Sequence, residues 1–115
     1  MMSVRKAERI SGHEVSTCFD QSWYAAAICN CTGRETPVQG HGKTEDESLR
    51  DLVENVYKRH GEIVRRRQKY RCHECQGLHP LQTHHQDRRS KGRNDRISNL
   101  RALCPTCHEL ETNPV

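Results

Sequence analysis

The sequence predicts an α+β chain: a small N-terminal β-β-(β)-α module over residues 1–64, followed by a metal-stapled second unit over residues 65–115. Three observations predict it. Short β-like runs in the first half lead into one strongly patterned helix. Two C-x-x-C pairs, with 28 residues between them, mark the second half. The chain has only 115 residues, of which 32% are hydrophobic and 30% charged. Neither half can bury the core that a barrel or a doubly wound sheet requires.

Residues 1–12 are polar and mixed in charge and read as a loose lead-in. HEVSTCFD (13–20) reads as a first strand and SWYAAAICNC (22–31) as a second. Ala25, Ala26 and Ala27 weaken the strand reading there, because alanine favours helix. Thr32-Gly33 marks a turn, and residues 35–43 form a third, irregular strand with Gly40 and Gly42 near its end. Thr44 then caps a helix, with Glu47 three residues on completing a capping box. Glu45, Asp46 and Glu47 place negative charge at the positive end of the helix dipole. Leu49, Leu52, Val53, Val56 and Tyr57 fall on one helical face. The helix ends either at Gly61 or, since Ile63 and Val64 continue the stripe, at about Gln68. The junction GHGKTEDESLRDLVENVY resembles the strand-to-helix junction of double-stranded-RNA-binding domains and the sheet-plus-helix unit of HicB-type antitoxins. Three acids at the helix start would repel a phosphate backbone, so RNA binding is not carried over. This half reads as a scaffold, as a module for homodimer formation, or as a further nucleic-acid contact.

Charge divides unevenly. Residues 1–60 carry eight Lys/Arg and nine Asp/Glu, and residues 61–115 carry eleven and six. The basic second half suggests an acidic partner. No apolar run approaches the roughly 18 residues of a membrane span, and no leader is apparent, so the chain is expected away from membranes, in the cytoplasm. In that reducing compartment two C-x-x-C pairs point to metal rather than disulfides. Cys72, Cys75, Cys104 and Cys107 can surround one tetrahedral ion, and zinc suits four thiolates. Such a site supplies folding free energy that a thin core lacks. Cys18, Cys29 and Cys31 read as small buried hydrophobes, with C-x-C spacing between the last two. His73 and His79 read as surface residues, and His13, His41 and His60 show no pattern.

Between the knuckles lie His84-His85, Arg89-Ser90-x-Gly92, Asp95, Asn99-Leu100 and Leu103-Cys104-x-x-Cys107-His108. In this order and spacing, residues 70–112 resemble the HNH (ββα-metal) nucleases, in the variant with two C-x-x-C pairs. The resemblance implies a zinc-stapled ββα-metal domain that hydrolyses phosphodiester bonds in DNA. It makes His85 the general base, and His84 and His108 the ligands of a catalytic divalent ion. Asn99 becomes the residue that braces the loop and orients the base. An imidazole can take a proton from water at physiological pH, while a cation neutralises charge developing on phosphate. Thr112 stands where some members carry a further histidine, and Arg93 where the usual second glycine lies. Two protein ligands suit a loosely held Mg²⁺ or Mn²⁺, while two imidazoles favour softer ions such as Mn²⁺, Ni²⁺ or Zn²⁺. Arg88, Arg89, Lys91 and Arg93, with Arg96, form a basic loop for phosphates; the run Arg65, Arg66, Arg67, Lys69, Arg71 forms another. The alternative reading is a zinc-knuckle nucleic-acid-binding protein without turnover.

Overall fold

The computed structural model describes residues 1–78, 80–86 and 92–112, the last four through their backbone alone. The chain is α+β, as the sequence predicts. Residues 1–12 depart from the expected loose lead-in. Val4–Ser11 form a helix, α1, capped by the Ser3 side chain, which accepts from Lys6 N at 3.1 Å. Gly12 ends it in the left-handed region (φ 78°), its N–H donating to Glu8 O at 2.8 Å. Only Ala7, Ile10 and Ser11 are buried, an apolar face too narrow to stand out in sequence.

Three strands follow: β1 (Val15–Asp20), β2 (Ser22–Cys29) and β3 (Thr36–Gly42). They pair antiparallel in the order β1-β2-β3, with Val15 opposite Ala27 and Ala25 opposite Gly40. The alanine run is therefore strand, not helix. Ala25, Ala27 and Cys29 alternate onto the buried face, and helix α2 (Glu45–Arg67) crosses that face. A Cβ at Gly40 would collide with the α2 backbone at Leu52 N and Ser48 O. Close approach of the helix selects small residues, and that packing overrides alanine's helical preference. Leu49, Leu52, Val53 and Val56 are buried against the sheet.

The capping box forms with one change. Thr44 Oγ1 accepts from Glu47 N at 3.1 Å, while Glu47 reaches back to Lys43 N at 2.9 Å. Of the two possible helix ends the structure takes the later. Gly61 lies inside α2, where a Cβ would come 2.8 Å from Thr83 Oγ1, so glycine there lets the second hairpin approach. That hairpin is β4 (Gln82–His85) against β5 (Leu100–Leu103), antiparallel, with His85 opposite Leu100 and His84 opposite Arg101. A short 3₁₀ turn (Ile97–Asn99) leads into β5, and helix α3 (Pro105–Thr112) follows it. Val64 of α2 packs with Leu100 and Ala102. Gln68 pairs with Ala102 as a strand neighbour would, accepting from its N–H at 3.0 Å and donating to its carbonyl at 2.9 Å. Cys18 is exposed rather than buried, because β1 turns it outward. Among the described residues, no helix is long and apolar enough to cross a membrane.

Candidate active site and metal centre

The four knuckle cysteines converge. Cys72 and Cys75 sit on one tight turn, Cys104 directly precedes α3, and Cys107 lies in its first turn. Their sulfurs all lie within 4.8 Å of one another, with Cys75 Sγ 3.8 Å from Cys104 Sγ. Cys104 N–H donates to Cys72 Sγ at 3.4 Å. Burial pushes the Cys72 thiol up, but backbone N–H groups of Cys75, Cys104 and Glu74 more than offset this and hold it at about 6. The neighbouring Cys104 thiol, then burial, pushes Cys107 up to about 12. Four sulfurs this crowded cannot all ionise unless a cation sits among them. The donor set fits one zinc ion, at about 2.3 Å per sulfur.

The cage fixes the next residue. His108 N–H donates to Cys104 O at 2.8 Å, and the His108 ring stands edge-on to that of His84, with centroids 5.2 Å apart and planes at 88°. Two perpendicular imidazoles at this separation suit shared ligation of one ion, given metal–nitrogen bonds of about 2.0–2.1 Å.

His85, the next residue on β4, has different neighbours, as strand alternation dictates. Its Nε2 lies 2.7 Å from Asp95 Oδ1, and the Asp95 side chain is fully buried. The other carboxylate oxygen accepts from Arg93 Nε at 2.9 Å, and Arg93 Nη2 is 2.8 Å from Glu54 Oε1. Tyr57 of α2 stacks parallel on the His85 ring, with centroids 5.4 Å apart. A carboxylate accepting at Nε2 leaves Nδ1 as the nitrogen with the free lone pair. Asn99 ties the preceding loop together. Its side chain donates to Asn94 O at 2.8 Å, and its carbonyl accepts from Gln86 N at 2.8 Å.

Arg93 is thus engaged by two carboxylates. Arg88, Arg89 and Lys91, with His79 and Ser90, lie outside the described residues. Within the other basic run, Arg65 donates to Thr83 Oγ1 at 3.1 Å and Arg67 to Cys31 O at 2.6 Å, while Arg66 pairs with Glu62. Arg65 and Arg67 fasten α2 to its surroundings, while Arg66 pairs within the helix, and together these contacts leave less of the run free for phosphate. Sequence reasoning gave no role to Asp95, although it stands in the quoted motif, and took Tyr57 only as part of the apolar stripe. Glu54 carried no signal.

Residues 71–114 match the family model described as HNH endonuclease. That segment carries the two C-x-x-C knuckles, and the match suggests a nuclease or nucleic-acid-related function for it. No curated protein and no solved structure matches the chain.

Proposed function

From an HNH unit at residues 71–114, we propose a metal-dependent endonuclease that hydrolyses phosphodiester bonds in DNA. The carrying observation is the division of labour between adjacent imidazoles: His84 faces His108, while His85 is held by the buried Asp95. His84 and His108 would hold a divalent ion, Mg²⁺, Mn²⁺ or Ni²⁺, which would supply neutralisation of charge on the phosphate and the leaving oxygen. His85 Nδ1 takes the proton of the attacking water. The water oxygen bonds phosphorus, and the bond from phosphorus to the leaving oxygen breaks. Asp95 keeps the proton on Nε2 and stabilises the imidazolium as it forms, as an orienting carboxylate does. Arg93 compensates Asp95 charge, Tyr57 holds the ring plane, and Asn99 keeps the loop carrying Asp95 in place. Arg88, Arg89 and Lys91, which precede Arg93 in the sequence, supply phosphate contacts. The Cys72, Cys75, Cys104 and Cys107 zinc is structural.

A second reading, a zinc-knuckle nucleic-acid-binding protein without turnover, is favoured by Thr112 at a position where some HNH members carry another histidine, and by an Arg93 committed to Asp95 and Glu54. Supercoiled-plasmid nicking in each metal separates the two. Wild type should nick, and His85→Gln, which keeps an amide donor for Asp95 but no base, should be slower by about 10²-fold or more. Asp95→Asn should fall in the same direction. DNA bound by wild type but left intact in every metal would establish the binding reading.

A further inference from the structure

A second set of metal-type donors lies outside the HNH segment. His13 precedes β1, Cys29 ends β2, Cys31 begins the turn after it, and His60 projects from α2. Their donor atoms all lie within 4.8 Å of one another. The two Nε2 atoms are 2.9 Å apart. Cys31 Sγ is 3.7 Å from each of them, and Cys29 Sγ is 3.8 Å from His60 Nε2. Zinc bonds of about 2.0–2.1 Å to nitrogen and about 2.3 Å to sulfur give tetrahedral edges of about 3.3–3.8 Å. The sulfur–nitrogen edges already have that length, and the two imidazoles need only part slightly.

The tautomer is set for ligation. His60 Nδ1 lies 2.7 Å from the backbone carbonyl of Asp95. A carbonyl only accepts, so Nδ1 carries the proton and Nε2 presents its lone pair to the cluster. A backbone acceptor behind a ligating histidine is the usual outer support of a metal site. His60 and Cys29 are almost wholly buried, and the Cys31 carbonyl is clamped by Arg67. Two thiols and two imidazoles, gathered from three parts of the fold, have little to gain from one another as hydrogen-bond partners, since thiols are weak donors.

We propose that His13, Cys29, Cys31 and His60 hold a second, structural zinc ion. It ties the start of β1 and the end of β2 to the middle of α2, and it reaches the HNH unit through Asp95. The Asp95 carbonyl holds the ligand His60, while its carboxylate holds His85. The ion is thereby a support for the loop that orients His85. This last consequence rests on the proposed endonuclease, whereas the existence of the site does not.

Native mass spectrometry and elemental analysis of the purified full chain test the site without any activity readout. Wild type should carry two zinc ions besides any ion on His84 and His108. Cys31→Ser and His13→Asn should each lose one, Cys104→Ser should lose the other, and His84→Ala should leave both in place. Should Cys31→Ser fail to fold, wild type itself decides through cobalt(II) replacement. Its spectrum should contain a tetrahedral component with two sulfur and two nitrogen donors beside the four-sulfur one. A wild-type chain with only the four-sulfur component, or a zinc content that Cys31→Ser and His13→Asn leave unchanged, would overturn the proposal.

Discussion

The N-terminal sheet and helices bury one continuous apolar cluster of eleven residues, from Ala7 and Ile10 of α1 through Ala25, Ala27 and Val38 to Ile63 of α2. The hairpin and knuckles beyond α2 show two clusters of three among the described residues, and one of those takes Val64 from α2. Cys72 and Cys104 are themselves two of the three residues of the second small cluster, Leu103 being the third. The first region has enough buried carbon to fold by the hydrophobic effect. The second borrows α2 as its floor and gathers the four knuckle cysteines, a donor set that fits zinc, where a larger core would otherwise be. The two regions therefore differ in what unfolds them.

Cys104→Ser should show this most strongly. A structural zinc site carries about 10–16 kcal/mol of apparent free energy, far more than these small clusters supply. Limited proteolysis should then cut freely beyond about residue 71 while the sheet and α2 stay protected. Loss of protection in both regions together would break the comparison. Leu52→Ala reverses the experiment. It empties a fully buried position between α2 and β3 and should lower the unfolding free energy of the N-terminal region by about 2–5 kcal/mol, with zinc on the four knuckle cysteines retained. Thr44→Ala removes the cap bond to Glu47 N and should cost about 1 kcal/mol, read as a small drop in the same transition and none in DNA nicking.

Much of the fold was legible where the information is local. The Thr44–Glu47 box, the Leu49-to-Val56 stripe and the two C-x-x-C turns each link residues three or four apart, and each forms. The points that local sequence left open were decided by a distant element. Ala25 and Ala27 sit in a strand because α2 presses on that face, and Gly61 lies mid-helix because Thr83 needs the space. At the site, the meeting of His84 with His108 followed from the HNH pattern, and the structure brings their rings together. Asp95 was visible as a motif residue, yet nothing in the chain says that its two polar ends serve His85 and His60 at once. His13, Cys29, Cys31 and His60 offered only a C-x-C spacing.

What the sequence determined alone was the pair of knuckles, the capped helix, the order of strands and helix and the HNH motif, because each is written in spacings that the backbone converts directly into geometry. What only the tertiary structure decided was the company each histidine keeps. His13 and His60 are 47 residues apart in the chain and 2.9 Å apart in space. Strand register and the depth at which α2 seats on the sheet set that distance, and both are properties of the packed whole.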